Sequence, residues 1–214
     1  MEINSDISKR VVIRQEDLSW TDESSGVSRR LLEQGSSRST SVIRLAPGSS
    51  LKVDGECGHE ILVLDGALEC GSDGYLGGDY LKDPADLPKT YSTESGATLF
   101  LKSYHEDQGE GQRILVKTSE RPWYQGLVDG LSVMPLSESG TKHTALVHWD
   151  PGTRFNPHRH FGGEEIYVLE GVFADEFGKY PKGSWMRSPH LSAHCPYSVE
   201  GCTILVKTGH LLED

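Results

Sequence analysis

The chain contains an internal duplication that runs through nearly its whole length, and this feature limits its possible folds more than any other. RVVIRQEDLSW at 10–20 aligns with RILVKTSERPW at 113–123, which lies 103 residues later. HEILVLDG at 59–66 aligns with EEIYVLEG at 164–171, which lies 105 residues later. Further matches keep the spacing of 105: Gly78 with Gly183, Pro84 with Pro189, and GATLFLK with GCTILVK. A drift of only two residues indicates two copies of one structural unit.

Each copy is a series of short apolar runs that are interrupted by Gly, Pro, Asp and Ser. The runs have the length of strands and are rich in Val, Ile, Leu and Thr, as in SVIRL, EILVL, TALVHW and EIYVL. No window combines a helical period with a capping residue at its start. We therefore predict an all-β fold with a sandwich or barrel in each copy. The predicted domains are 1–102 and 113–214, joined by a polar linker at 103–112.

Composition and charge exclude several classes of function. The 214 residues include 21 basic and 32 acidic side chains, a net charge of -11, which a nucleic-acid backbone would repel. No apolar run approaches the roughly 18 residues of a membrane span, and the first ten residues lack the pattern of a signal peptide. Four scattered cysteines do not form a disulfide framework. We expect a cytoplasmic protein, monomeric or homodimeric, that binds neither nucleic acid nor membrane.

The stretch NPHRHFGGEEIYVLEG at 156–171 places ionisable side chains at the start of an apolar run. His158 and His160 lie two residues apart, so in a strand both imidazoles point to the same face. Glu164 follows across two glycines, where the backbone can turn before the next strand. Glu165 is the rival carboxylate, but strand alternation turns it to the opposite face from Glu164.

A further imidazole comes from GSWMRSPHLSAHCP, which contains both His190 and His194. Neutral imidazoles with one carboxylate suit Zn²⁺, Fe²⁺, Mn²⁺ or Ni²⁺ better than Mg²⁺ or Ca²⁺. The sequence therefore predicts one divalent transition metal in the second copy.

The spacing of these residues resembles the two motifs of the cupin family, whose small jelly-roll barrels carry a metal inside. Two positions depart from the motifs: Leu191 stands where glycine is usual, and Ser198 stands where asparagine is usual. The resemblance implies two tandem jelly-roll β-barrels and selects one carboxylate and three imidazoles as ligands. The residues that fit are Gly152, His158, His160, Glu164 and Gly171 for the first motif, and Gly183, Pro189 and His194 for the second. The implied ligands are His158, His160, Glu164 and His194.

The first copy lacks the same set of side chains. His59 takes the place of Glu164, and Lys89 takes the place of His194. A lysine ammonium can occupy the cavity opposite an acid, so we predict that the first barrel has lost the metal site. Glu56, Cys57 and His59 are the alternative, a second site in the first copy.

The second copy resembles more narrowly the cupin domain of ChrR-type anti-sigma factors, through H-R-H-x-G-x-E-E and V-L-x-G-x-F-x-D-E-x-G-x-Y. The first copy fits this pattern more loosely. The resemblance implies Zn²⁺ and a response to an oxidative signal, notably singlet oxygen. Such proteins also have an N-terminal helical domain that binds the sigma factor. Residues 1–19 are too short for it and no cysteine precedes Cys57, so we expect the sensor part without the effector part.

Two hypotheses for function follow. One is a regulatory metal-binding bicupin that senses an oxidant or small-molecule ligand and acts on a protein partner, such as a sigma factor. The other is an enzyme, a metal-dependent dioxygenase or isomerase acting on a small acid or diketone. The enzyme needs an open coordination position and a metal such as Fe²⁺ or Mn²⁺. The fold does not decide between them.

Overall fold

The computed structural model describes residues 2–105 and 111–212, and antiparallel strands make up nearly all of their regular secondary structure. The prediction of an all-β fold with two tandem barrels is confirmed. Apart from single 3₁₀ turns at Gln15–Asp17 and Thr118–Glu120, the described elements are strands. They are β1 (Val11–Ile13), β2 (Thr21–Ser24), β3 (Val27–Gln34), β4 (Arg38–Leu45), β5 (Ser50–Val53), β6 (Gly58–Cys70), β7 (Asp73–Leu76), β8 (Tyr80–Asp83), β9 (Lys89–Ser92), β10 (Ala97–Tyr104), β11 (Ile114–Val116), β12 (Tyr124–Gln125), β13 (Leu131–Ser139), β14 (Lys142–Trp149), β15 (His158–Arg159), β16 (Glu164–Asp175), β17 (Gly178–Pro181), β18 (Trp185–Ser188), β19 (Ala193–His194) and β20 (Cys202–Thr208).

The first compact unit consists of Met1–Ser5 and Leu18–Arg121. Its main sheet has the order β11-β8-β6-β10-β4-β3-β2, and β5, β7 and β9 complete the ten strands. Apolar side chains at alternate strand positions fill its core, among them Ile43, Ile61 and Leu99, all fully buried. The alternation places one face of each strand inside the barrel and the other outside.

The second compact unit consists of Asp6–Asp17 and Pro122–Asp214. Its main sheet has the order β1-β18-β16-β20-β14-β13-β12, with β17 paired to β16, and β15 and β19 form a separate pair. Ile166, Phe173 and Ile204 belong to its buried core. The short pair β15–β19 carries two of the predicted ligands.

Each unit contains the strand that begins the other sequence copy. Strand β1, at the start of the first copy, pairs with β18 through Val12↔Met186, and β11, at the start of the second copy, pairs with β8. The compact units therefore differ from the sequence copies 1–102 and 113–214 by one edge strand each. In the predicted linker, β10 extends to Tyr104, and residues 106–110 lie outside the described residues.

In the described part of the chain, no helix is both long enough and apolar enough to cross a membrane.

Candidate metal centre

Three of the predicted ligands lie on strands of the second barrel, and the fourth, His160, directly follows β15. His158 in β15 and His194 in β19 are direct cross-strand partners, so their side chains share a face. Gly162 and Gly163 then turn the chain into β16, both with φ of 73°. A Cβ on Gly162 would lie 2.6 Å from the backbone of Gly209, so only glycine fits this turn. The turn brings the start of β16 back beside the histidines.

Four side chains converge at this point, and they are the four that the sequence selected. The ligand atoms of His158, His160, Glu164 and His194 all lie within 4.8 Å of one another. Glu164 Oε2 is 3.5 Å from His160 Nε2 and 3.6 Å from His194 Nε2. Three of the side chains are buried, and His158 is half-buried. Such a cluster can hold a divalent metal ion, since its three nitrogens and one oxygen are the donors that transition metals prefer.

The hydrogen bonding of the three imidazoles fits a metal. The Nε2 atoms of His160 and His194 are buried and have no hydrogen-bond partner among the described residues. An unsatisfied buried nitrogen is costly, so a metal ion that binds these two atoms would remove that cost. His158 Nδ1 donates to the carbonyl of Asn156 at 2.9 Å, which leaves its Nε2 lone pair available to a metal.

Burial sets the protonation states of the cluster. It lowers the pKa of His160 to about 3, helped by the neighbouring His194 and His158. Burial also lowers the pKa of His158. In Glu164 it acts in the opposite direction and raises the pKa to about 7. Burial therefore favours the neutral, metal-binding form of His158 and His160, and a nearby cation would favour the ionised form of Glu164.

Asp175 lies behind His194, with its Oδ2 3.6 Å from His194 Nδ1. Arg10 Nη2 donates to the same oxygen at 2.7 Å, and the Tyr180 hydroxyl donates to the other oxygen at 2.7 Å. Burial works to raise the pKa of Asp175, but the hydrogen bonds from His194 and Tyr180 and the charge of Arg10 outweigh it, so the pKa is lowered. The ionised Asp175 orients the His194 ring with Nε2 toward Glu164.

Neither Arg10 nor Asp175 was found by the sequence reasoning. Asp175 is part of the quoted pattern V-L-x-G-x-F-x-D-E-x-G-x-Y, which was a signal for it. Arg10 repeats as Arg113, but that match does not reveal which barrel contains either residue.

The rival residues lie elsewhere in the second barrel. Glu165 accepts a hydrogen bond from Trp185 Nε1 at 2.9 Å, and its other oxygen is 3.0 Å from His210 Nε2, so strand alternation does turn it away from Glu164. His190 Nδ1 accepts from the backbone N–H of Gly162 at 2.8 Å. His190 therefore fixes the glycine turn and does not join the cluster.

In the first barrel, an ion pair stands where the second barrel has its cluster. Lys89 Nζ lies 2.7 Å from the buried Asp83, as expected for an ammonium opposite an acid. Tyr91 donates to Asp83 at 2.9 Å and accepts from His59 Nε2 at 2.7 Å. Burial, with a contribution from Lys89, lowers the pKa of His59 to about 4.

The alternative first-barrel site does not assemble among the described residues. Cys57 Sγ lies 3.6 Å from His105 Nδ1, and Glu56 is exposed. Within residues 2–105 and 111–212, the four-residue cluster of the second barrel is the one group of three or more such side chains with metal-binding geometry. The loss of a metal from the first barrel stays a prediction.

Sequence comparison gives a match to both copies. The model of the family described as ChrR Cupin-like domain matches residues 8–106 and again 111–212. No curated protein is detectably similar in sequence.

Similar solved structures share the fold at low sequence identity. A candidate dioxygenase from Nostoc punctiforme PCC 73102 aligns with a TM-score of 0.80 at 16% identity, covering 97% of this chain and 85% of that one. A cupin 2 conserved barrel domain protein from Leptotrichia buccalis aligns with a TM-score of 0.68 at 15% identity, covering 96% and 98%. An oxalate decarboxylase from Lactobacillus farciminis, solved as a formate complex, gives 0.72 at 11% identity, covering 95% and 87%.

Proposed function

Since this chain belongs to the family of ChrR cupin-like domains, we propose that it is a regulatory protein whose second barrel holds one Zn²⁺ ion. His158, His160, Glu164 and His194 would be the ligands. The observation that carries the proposal is the pair of buried Nε2 atoms of His160 and His194, which lie 3.5 and 3.6 Å from Glu164 and have no hydrogen-bond partner among the described residues. A metal between them satisfies both nitrogens and neutralises the buried carboxylate.

The choice of zinc rests on the number of ligands. Four protein side chains complete a tetrahedral site, which is the usual arrangement for Zn²⁺ in a non-catalytic role. When bound, zinc supplies a structural link and no redox chemistry. Asp175 would keep His194 in the required orientation, and the half-buried side chain of His158 would be the side of the site that a small oxidant reaches first.

The proposed regulation is that a signal at the zinc site changes how the chain binds a protein partner. The family resemblance suggests a sigma factor or another regulator as the partner, and singlet oxygen as the signal. The net charge of -11 suits a partner with a basic surface, because opposite charge speeds association.

A second candidate function is catalysis, favoured by the half-buried His158 and by an adjoining cavity described below. Fe²⁺ or Mn²⁺ with one open position would then act on a small acid or diketone, as a dioxygenase or isomerase. The similar fold of a candidate dioxygenase and of an oxalate decarboxylase supports this second candidate only through the fold.

The first test is elemental analysis of the untagged protein, purified without chelator, beside His160→Ala and His148→Ala. His148 is a matched control because it lies in the same barrel, exposed and hydrogen-bonded to Thr203. We expect about one zinc per chain in the wild type and in His148→Ala, and none in His160→Ala. Iron or manganese in place of zinc would move the assignment to catalysis, and no metal in any of the three would overturn both.

The second test addresses regulation. The zinc-loaded protein is exposed to photosensitised singlet oxygen, and released zinc is followed with a chromogenic chelator. The sensor proposal expects zinc release that increases with the dose of light and disappears when a singlet-oxygen quencher is added. Zinc retention at doses that already oxidise exposed histidines would contradict the proposal.

A further inference from the structure

The second barrel contains a cavity of about 480 Å³ that the metal ligands do not use. Apolar side chains form most of its wall, and Gln125, His143 and Thr208 supply polar atoms. Val133, Ala145, Val206 and Phe155 line it and pack against the buried core. Cavities of roughly 300–1,000 Å³ with such walls are typical binding sites for small molecules.

The cavity adjoins the metal centre on two sides. Thr208 is the direct cross-strand partner of Glu164 and also of His143, so these three side chains share one face of the sheet. Phe155 lines the cavity and packs edge-on against His158, with ring centroids 4.9 Å apart. A molecule in the cavity can therefore reach the cluster with one end.

The walls define the chemistry of that molecule. The described residues that line the cavity include no Asp, Glu, Lys or Arg, and His143 is the single titratable one. A charged body would lose its hydration there without gaining a partner, whereas an apolar body gains contact area. A dry apolar cavity of roughly 150 Å³ already holds benzene, so this one has room for a longer chain.

The first barrel shows that the fold does not require apolar walls here. Val133 pairs with Val147 in the second barrel, and at the equivalent ladder position Arg29 pairs with Ile43 in the first. The first-barrel cavity, of about 330 Å³, has a mixed lining in which apolar residues alternate with charged ones, including Arg29 and Lys52. The two copies share the backbone plan but differ in the chemistry of the cavity.

We propose that the cavity binds a medium-chain monocarboxylic acid, with its alkyl chain between β13, β14 and β20 and its carboxylate toward the metal. The carboxylate end rests on the proposed function, since a divalent cation held by one Glu keeps a net positive charge that attracts an anion. The Thr208 hydroxyl lies on the same face and can donate to that carboxylate. Binding of the alkyl chain depends only on the apolar walls and not on the metal.

The test is calorimetric titration of the full chain with octanoate, 1-octanol and acetate, with metal content measured on every sample. We expect octanoate to bind most tightly, octanol more weakly and acetate not detectably. His160→Ala removes the metal, so octanoate affinity should fall at least about tenfold toward that of octanol, while octanol affinity stays unchanged.

Two variants address the cavity walls, and one serves as the matched control. Val133→Asp puts a charge into the cavity, and Ala145→Phe fills it. Each variant should therefore lower the affinity for octanol and for octanoate at least about tenfold. Ser132→Asp adds the same charge on the opposite face of the same strand and should leave both affinities within about twofold. Two wall variants are used so that the test still gives an answer if one of them misfolds.

The outcomes separate this inference from the proposed function. A protein that contains one metal ion but binds neither octanoate nor octanol overturns the cavity assignment and leaves the metal site intact. Octanol binding that Val133→Asp abolishes in a metal-free protein supports the apolar site and overturns the metal anchor. Affinities that neither wall variant changes would overturn the inference altogether.

Discussion

Arg10 donates a 2.7 Å hydrogen bond to Asp175, across 165 residues of sequence, and Asp175 in turn lies 3.6 Å from His194. The arginine belongs to the segment that begins the first sequence copy, whereas the other two residues belong to the second copy. The cluster in the second barrel is therefore supported by a side chain from outside its own repeat. The Arg10 guanidinium also lies over the ring of Phe177, 4.5 Å from the ring centroid, which helps to hold Arg10 in place.

Replacing Arg10 with Ala should lower both zinc affinity and stability. The buried Asp175 would lose its cation, and His194 would be less firmly oriented, so we expect about a tenfold loss of zinc affinity. The free energy of unfolding should fall by about 2 kcal/mol, less than for a fully buried pair because Arg10 is partly exposed. Competition with a chelator measures the affinity, and urea denaturation measures the stability.

Arg113→Ala is the matched control for that experiment. Arg113 stands 103 residues after Arg10 at the same place in the repeat and contacts Asp73, Tyr75 and Asp83 in the first barrel. The Arg113→Ala substitution should leave zinc affinity unchanged. Equal losses of affinity in both variants would show that the effect is general destabilisation and not orientation of His194.

Zinc affinity should depend on pH through Glu164. In the metal-free chain, burial raises the pKa of Glu164 to about 7, so below that pH a proton must leave before the carboxylate can bind metal. Affinity should fall by about tenfold for each pH unit below 7 and level off above 7. His160, with its pKa lowered to about 3, adds no competing proton in this range.

The control for the pH dependence is Glu164→Gln, measured by chelator competition between pH 5.5 and 8 in buffers of equal ionic strength. The variant should bind zinc more weakly at every pH and should lose this slope. A slope that persists unchanged in the variant would assign the proton to another group.

The candidate site was predictable from the sequence because local strand rules and the resemblance to the cupin motifs together select its four ligands, with His194 chosen by the spacing of the second motif. The two-residue spacing of His158 and His160, and the alternation that separates Glu164 from Glu165, follow from strand geometry alone. The duplication and the apolar runs likewise predicted a β sandwich or barrel in each copy, and the family resemblance implied the barrels. These signals are local in the sequence and need no knowledge of which strands pair.

The exchange of edge strands and the Arg10–Asp175 pair were not predictable in the same way. The sequence of β1 does not reveal whether the strand pairs with β8 or with β18. The duplication supports both pairings equally, because each barrel has an equivalent strand to receive it. Pairing between distant strands depends on how the whole chain closes, which no local pattern encodes. The apolar cavity was not predicted from the sequence for the same reason, because its wall combines residues from the separate strands β13, β14 and β20.

His59 should make the stability of the protein decrease in mild acid. Burial lowers its pKa from 6.5 to about 4 in the folded chain, so between these values the unfolded chain takes up the proton and the folded chain does not. The contribution is complete above pH 6.5 and is lost progressively down to pH 4. From pH 7 to pH 5 the free energy of unfolding should fall by about 2 kcal/mol through this residue.

His59→Gln isolates that contribution, because glutamine can still donate to Tyr91 but does not titrate in this range. Urea denaturation at pH 7 and pH 5 should give a smaller pH difference for the variant than for the wild type. If the two differences agree, His59 does not control the acid sensitivity of the first barrel.

Leu191 is in a left-handed backbone conformation, and replacing it with glycine should stabilise the protein. Its φ is 60°, it lies within the turn closed by Ser192 N–H donating to the Pro189 carbonyl, and half of its surface is exposed. A leucine gains little packing there and bears the cost of the strained φ. Leu191→Gly should therefore raise the free energy of unfolding by about 0.5–1 kcal/mol without changing metal content.

Leu87→Gly is the control for this substitution, since Leu87 is also exposed and outside any strand but does not have a positive φ. There glycine only increases the freedom of the unfolded chain, so the free energy of unfolding should fall by about 0.5–1 kcal/mol. Opposite signs in the two variants, measured by urea denaturation, are the expected result. A loss of stability in Leu191→Gly would mean that the leucine side chain contributes more through its contacts than the turn costs through its strain.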